Sequence, residues 1–379
     1  MRVVILGGVQ RSRQQTGRNG IVKIVAGLCR ELPRLGLEVN CNTTDIIGEP
    51  PAIASRGAAP LPVPPPDAPL ARLLTYNMDL TEAMCAMPGQ LVVNVHDLRV
   101  ALAALLVRRV HPGTVLVASL AGTVGGRYGH QPDGWFSYLA GIERDLVAAA
   151  DLIAVPGQAH LAEVAERLAV DPARIVNVGI GIDLPPGPVP GPARDPARVL
   201  YVGRLASEKG VFDLLDALQL VRARRPEVTL HVVGDGPLNA SVRARIAQAG
   251  LSDSVHLAGW LEEQALWNAY AAAAVCVVPS RYDPYPAVIP EALAAGCAVV
   301  GCRTGGIVEL LDDGRLGSLV PVADPAELSD AIVASLASPP DGESARRART
   351  WVEDRFSWAA FAARTAAAFE QACHAGSHR

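Results

Sequence analysis

Residues 276–310 read CVVPSRYDPYPAVIPEALAAGCAVVGCRTGGIVEL. The apolar run CVVP, the turn signals Ser280 and Pro284, and the segment AVIPEALAAG predict a buried strand, a loop and a short helix. Pro290 falls early enough in that helix to be tolerated near its first turn, and Gly296 is placed to end it. A second strand, AVVGC, follows, and its loop TGG opens toward another helix. The loop and helix between the strands carry two carboxylates, Asp283 and Glu291, eight positions apart. In a parallel sheet such strand-to-helix loops line up along the carboxyl edge, where α/β folds bind nucleotides. Helix N-termini at that edge favour phosphate.

Outward from this stretch, the chain has 379 residues and 50% hydrophobic content. That length predicts two domains, each able to bury its own core. The net charge of -4 argues against bulk binding to nucleic acid. The seven cysteines form no CxxC pair and no Cys/His spacing suited to zinc. Most sit in apolar runs and are expected to be buried free thiols in a reducing cytosol. The opening MRVVILGG is too short for a signal peptide and reads as a first buried strand. No apolar stretch is long enough to span a bilayer, so the expected location is the cytoplasm. Only Lys23 and Lys209 are lysines; every other basic residue apart from histidine is arginine. With abundant Ala, Pro and Gly this fits a GC-rich genome that drifts Lys toward Arg. A lysine that survives such drift is a candidate for a role that needs a compact ammonium.

Short apolar runs alternate with helical patterns throughout. Candidate strands are Val3–Gly7, Glu38–Asn42, Leu91–Val95, Thr114–Leu120, Leu152–Val155 and Ile175–Val178. A second series is Val199–Gly203, Thr229–Gly234, Val255–Ala258, Val275–Pro279, Ala298–Cys302 and Ser318–Val320. Helices fill the intervals, among them Ile21–Leu35, Gly141–Ala150 and Val211–Arg224. The alternation predicts an α/β protein with parallel sheets and helices on both faces. Leu184–Arg198, LPPGPVPGPARDPAR, is too rich in Pro and Gly for helix or ladder pairing and reads as a linker. The expected division is residues 1–184 with 357–379 as one domain, 185–198 as linker and 199–356 as the second domain. Pro50–Pro69 reads as an extended surface loop, and Phe356–Cys373 is helical in pattern.

The second domain opens with Val202-Gly203-Arg204-Leu205-Ala206-Ser207-Glu208-Lys209-Gly210. A strand ends at Gly203, and Arg204 and Lys209 project from the loop. Two cations there can neutralise charge that develops on a diphosphate leaving group, which is a transition-state effect. Val232-Val233-Gly234-Asp235-Gly236-Pro237 follows, a glycine turn that permits close backbone approach. Then comes Val255-His256-Leu257-Ala258-Gly259-Trp260-Leu261. In the first domain, Gly17-Arg18-Asn19-Gly20 precedes an amphipathic helix, and His96-Asp97 ends the strand LVVNV.

This ordered series resembles retaining glycosyltransferases of the GT-B fold, the family of glycogen and sucrose synthases and bacterial mannosyltransferases. That family carries an acid, seven residues, then Glu, an EA(M/L)A(A/S)G helix and a GGxxE loop. Here these are Asp283, Glu291 with Ala292–Gly296, and Gly305-Gly306-Ile307-Val308-Glu309. The resemblance implies two Rossmann-like domains facing a cleft, with the C-terminal helix crossing back to the first domain. It implies that Arg204 and Lys209 grip the diphosphate and that Glu291 accepts hydrogen bonds from the ribose hydroxyls. It places Asp283 against the donor sugar and its reacting carbon, with His96 near the cleft. The donor is further expected to touch Gly20, Gly234, Trp260, Leu261, Tyr285, Ala287 and Val288. Asn177–Asp183, NVGIGID, resembles the family's NGID before the linker.

There are departures. The family usually has Glu where Asp283 stands and Phe-Gly where Tyr285-Pro286 stands. Pro286 has no N–H to give a sugar hydroxyl. A second family histidine is replaced by Ala121, with His130 nearby.

The expected activity is retaining transfer of a hexosyl or amino-hexosyl group from a nucleotide diphosphate sugar, a UDP-sugar, to a small polyol, sugar or aminosugar-like acceptor. No cofactor, no metal and no nucleic-acid partner are expected. Arg11, Arg13, Arg18 and Lys23 leave a weaker membrane-associated reading open. The rivals are a nucleotide-sugar epimerase of the same fold and a non-catalytic sugar-nucleotide binder.

Overall fold

The computed structural model describes residues 1–7, 20–42, 70–129, 134–187, 189 and 191–376. The chain divides into two compact units, Met1–Gly181 with Trp358–Arg379, and Ile182–Ser357. Pro50–Pro69, residues 17–19, His130, and the arginines at 11, 13 and 18 lie outside the described residues.

Among its described residues the first unit holds six parallel strands: β1 (Arg2–Leu6), β2 (Glu38–Cys41), β3 (Leu91–Val95), β4 (Val115–Ser119), β5 (Leu152–Val155) and β6 (Ile175–Asn177). Their order is β2-β1-β3-β4-β5-β6. Between them run α1 (Gly20–Glu31), α2 (Leu70–Cys85), α3 (Ala101–Val110), α4 (Val124–Tyr128), α5 (Gly134–Ala149) and α6 (Gln158–Arg167). The alternation of side chains along a strand explains the apolar run in β1. Val3 and Ile5 pack with Val25 and Leu28 of α1, whereas Val4 and Leu6 pack with Leu80 and Met84 of α2.

The second unit repeats the plan with β7 (Asp195–Val202), β8 (Thr229–Val233), β9 (Val255–Gly259), β10 (Ala273–Val278), β11 (Ala298–Cys302) and β12 (Ser318–Val320). The order is β12-β11-β10-β7-β8-β9, again all parallel. Its helices are α7 (Val211–Arg224), α8 (Asn239–Gln248), α9 (Glu263–Ala272), α10 (Val288–Ala294), α11 (Gly306–Leu310), α12 (Pro325–Ala337) and α13 (Gly342–Phe356). The last helix, α14 (Trp358–Gly376), belongs to the first unit.

Three expectations need correction. The helix expected over Ile21–Leu35 is α1 only to Glu31; Leu32–Leu35 tightens to a 3-10 turn, where Pro33 has no N–H for the α ladder. The tail helix does not begin at Phe356. That residue ends α13, and Ser357, extended at φ -61 and ψ 144, breaks the chain before α14. The end of the segment 185–198, expected to be barred from ladder pairing, is part of a strand, and its described residues are hydrogen-bonded within the second unit. Arg349 donates to the Pro185 carbonyl at 2.7 Å, and Arg194 donates to the carbonyls of Ala273 and Ala295 at 2.6 and 2.7 Å. Asp195 already pairs with Ala273, so β7 begins four residues before the expected Val199.

Among the described residues the cysteines form no disulfide, and Cys29, Cys276, Cys297 and Cys302 are buried. Among the same residues no helix is long and apolar enough to cross a membrane.

Two glycines dock α14. A Cβ on Gly27 would lie 2.1 Å from the Trp358 ring, and one on Gly181 would lie 2.3 Å from it. The Arg30 guanidinium sits 5.5 Å over the same ring, and Arg364 donates to the Val178 carbonyl at 2.7 Å. Helix propensity would favour alanine at Gly27 by about 0.8–1 kcal/mol. Overpacking against the indole costs about 1–3 kcal/mol. Gly27→Ala is therefore expected to destabilise the protein despite the better helix former, and the guanidinium midpoint followed by tryptophan fluorescence checks the sign.

Candidate active site

In the second sheet β7 and β10 are neighbours, although the chain visits β8 and β9 between them. A crevice opens at such a switch of direction, outside the carboxyl ends of the strands. The loops that leave β7 and β10 meet there, and close approach is what their glycines permit. Gly210 has φ +64, and a Cβ on it would lie 1.9 Å from the Pro279 carbonyl oxygen. Gly305, in the loop after β11, has φ +48, and a Cβ there would lie 2.2 Å from the Asp283 carbonyl oxygen. Both positions exclude other residues by conformation and by space.

Hydrogen bonds close the same three loops into one body. The Glu208 carbonyl accepts from the backbone N–H groups of Arg281 and Tyr282 at 2.8 and 3.1 Å. The Arg281 guanidinium grips Asp213, in the first turn of α7, through two bonds of 2.8 and 2.7 Å. Gly306 N–H donates to the Asp283 carbonyl at 3.3 Å.

Within this frame the structure brings Asp283 and Lys209 together. Asp283 is 6% exposed, and its Oδ2 lies 2.7 Å from Lys209 Nζ and 3.3 Å from Ser280 Oγ. Arg204, on the same loop as Lys209, donates to Glu208 Oε1 at 2.6 Å, and its side chain is 48% exposed. Burial pushes the Glu208 carboxyl up, but the bond from Arg204 and the charges of Arg204 and Lys209 outweigh it and hold the group below its ordinary value. Each of the two cations is thus already matched to a carboxylate. Glu291 lies on α10 and accepts from the Tyr270 hydroxyl at 2.7 Å through Oε2.

The other residues expected at the donor fall around these loops. Gly234, at φ +129, would place a Cβ 2.0 Å from the Gly203 carbonyl oxygen, and its N–H donates to Gly259 at 2.7 Å. That bond joins the ends of β8 and β9, and half-buried Trp260 and Leu261 follow directly. Tyr285 is half-buried with its ring 6.3 Å from that of Phe356. Ala287 caps α10 and Val288 begins it. Pro286 is buried, and its carbonyl accepts from Ile289 N–H at 3.2 Å.

Gly20 and His96 belong to the first unit. Gly20 is the exposed first residue of α1. His96 follows β3, with its N–H on the Leu6 carbonyl at 2.8 Å. Its Nε2 is 3.0 Å from Asn94 Nδ2, and Asn94 Oδ1 accepts from Ser119 at 2.7 Å. Asp97 is engaged elsewhere: it caps the next turn and pairs with Arg99. Ala121 is exposed, and the turn after it is held from below by Glu143, which accepts from Val124 N–H at 2.9 Å. Burial pushes the Glu143 carboxyl up to about 7.

Sequence reasoning missed Glu208, Ser280, Arg281 with Asp213, and Tyr270. Glu208 had a readable signal, since it stands four residues after Arg204 inside the same motif. Tyr270 had none, because 21 residues separate it from Glu291.

Two family models match the chain, Glycosyl transferase 4-like domain over residues 19–181 and Glycosyl transferases group 1 over residues 196–338. Glycogen synthase of Mycobacterium tuberculosis (strain CDC 1551 / Oshkosh) is 30% identical over 283 residues, which cover 73% of this chain and 67% of that protein. Sucrose-phosphate synthase from Thermosynechococcus elongatus superimposes with a TM-score of 0.73 at 21% identity, over 98% of both chains. Anabaena HepE in complex with UDP and glucose gives 0.72 at 17% identity, over 97% of this chain and 98% of that one. The chain belongs to the group 1 glycosyltransferases, and its two parallel sheets have the GT-B fold expected from the sequence.

Burial pushes the His96 imidazole down to about 4, against the upward pull of Asp97. An unfolded histidine binds its proton near pH 6.5. As pH falls from about 6.5 toward 4 the unfolded chain gains a proton that the folded one does not, so stability declines across that window. The His96 ring is expected to remain neutral above about pH 4 when titrated by NMR, and His96→Gln is expected to flatten the loss of stability between pH 6.5 and 4.

Proposed function

We propose that this protein is a retaining, metal-independent glycosyltransferase. It moves a hexosyl or amino-hexosyl group from a UDP-sugar to a small soluble polyol, sugar or aminosugar, in the cytoplasm. The observation that carries the reading is the Lys209–Asp283 contact of 2.7 Å at the β7/β10 switch, with Arg204 on the same loop. HepE, which shares the fold, binds UDP and glucose.

The roles follow from the chemistry. Departure of the nucleotide diphosphate breaks the bond between the sugar carbon and the phosphate oxygen and leaves new charge on that oxygen. In this reading Lys209 and Arg204 take up that charge as it grows, so they favour the transition state over the bound substrate. The incoming hydroxyl forms its bond to the same carbon on the face the diphosphate leaves, and its proton passes to the departing phosphate oxygen. The products are the glycoside and the nucleotide diphosphate, with configuration retained. Asp283 takes the sugar hydroxyls, Glu291 takes the ribose, and His96 is assigned to the acceptor's side of the reaction.

The ion pair changes what Asp283 does for nucleotide affinity. Its charge competes with phosphate for Lys209, so the free nucleotide meets an ammonium already paired with a carboxylate. Asp283→Asn is expected to abolish most transfer while leaving UDP affinity equal or tighter by calorimetry. Glu291→Ala is expected to weaken UDP binding by about 1.5–3 kcal/mol, the size of a charged hydrogen bond. Lys209→Ala is expected to lower kcat/KM by roughly 10²-fold or more, from about 2.7–4 kcal/mol of lost transition-state stabilisation. Turnover near that of the wild type in this variant would remove Lys209 from the mechanism.

With two cations facing the leaving group, activity is expected to survive exhaustive chelation. Loss with chelator and recovery with Mg²⁺ or Mn²⁺ would contradict metal independence.

A further inference from the structure

We infer that Tyr270 is a positioning residue that sets the Glu291 carboxylate for the nucleotide ribose; this rests on the role proposed above for Glu291. Tyr270 lies in the last turn of α9 and is 0% exposed. Its ring packs against Trp267 with centroids 5.6 Å apart. Phenylalanine would fill the same space, so packing alone does not call for a hydroxyl. A buried hydroxyl without a partner is costly. Here the hydroxyl donates to Glu291 Oε2 at 2.7 Å. Burial and the Glu291 charge push the phenol up, so it remains a donor.

The same residue holds the other end of the helix that carries Glu291. The Tyr270 carbonyl accepts from the Cys297 thiol at 3.0 Å, just beyond Gly296, where α10 has ended. Tyr270 therefore brackets α10: its side chain holds the carboxylate in the first turn, and its backbone holds the residue after the C-terminus. A Glu carboxylate rotates in a broad, shallow well about its last torsion. With one oxygen pinned by the phenol, the plane of the carboxylate is set before a ligand arrives. Two adjacent ribose hydroxyls then meet an oriented acceptor, and the ordering cost of binding falls.

The test is calorimetric titration of the wild type, Tyr270→Phe, Glu291→Gln and the double variant with UDP and with 2′,3′-dideoxy-UDP. In the wild type UDP is expected to bind more tightly than the dideoxy nucleotide. Tyr270→Phe is expected to weaken UDP by roughly 10-fold or more, the scale of one charge-assisted hydrogen bond, and to leave the dideoxy nucleotide unchanged. In the Glu291→Gln background the Tyr270 change should add little. Equal loss for both nucleotides, or undiminished UDP affinity in Tyr270→Phe, would overturn the positioning role. A wild type that binds the two nucleotides equally, or neither, would instead overturn the proposed donor site, and the Tyr270 inference with it. Thermal midpoints of all four proteins show whether any loss comes from unfolding.

Discussion

The site depends on backbone-to-backbone contact among three loops at the carboxyl edge of the second sheet. Gly210 against Pro279 and Gly305 against Asp283 leave no room for a methyl group. That contact carries Lys209 from the β7 loop to within 2.7 Å of Asp283 in the β10 loop. A residue larger than glycine at 210 would push the β7 loop from the β10 loop, and one at 305 would push the β11 loop from it. The strand order opens the crevice, and these two close approaches bring the loops together at it.

Each charged group there is partly satisfied before any ligand binds. Asp283 has Lys209 and Ser280, Arg204 has Glu208, and Glu291 has Tyr270. A buried charge without a partner is strongly destabilising, so a site rich in charge must hold itself together on its own. The arrangement also fixes geometry. The two cations are already oriented by carboxylates, and for an anionic ligand exchanging partners costs less than ordering free side chains. The Asp213–Arg281 pair acts in the same way farther from the crevice, tying α7 to the loop that bears Asp283.

Both units use one architecture, yet they differ in how the edge is furnished. In the first, His96 ends β3 beside β1, at that sheet's own switch of strand order. Its Nε2 lies against Asn94, which accepts from Ser119, and burial keeps the ring uncharged at neutral pH against the pull of Asp97. In the second, the corresponding edge carries two cations and their acids. The charged chemistry is concentrated in the unit where the proposed diphosphate binds, and the neutral imidazole belongs to the other.

By itself the sequence determined what is local. Apolar runs of strand length marked the twelve strands of the described residues, most within a residue or two, because most of them are buried on both faces and so are continuous in apolar character. The spacing of Asp283 and Glu291, the GRLASEKG loop and the glycine pair at 305–306 were legible because turns and helix starts constrain residues near one another in the chain. The break at Ser357 and the extension of β7 to Asp195 were not legible, since each is decided by a partner strand or a packed helix. Nor were the pairings: 74 residues separate Lys209 from Asp283, 68 separate Asp213 from Arg281, and 21 separate Tyr270 from Glu291. Only the order in which parallel strands are laid side by side brings such residues into contact. That order is set by the burial of whole faces rather than by any short stretch of sequence, so the tertiary structure alone decided that Asp283 answers Lys209 and Asp213 answers Arg281.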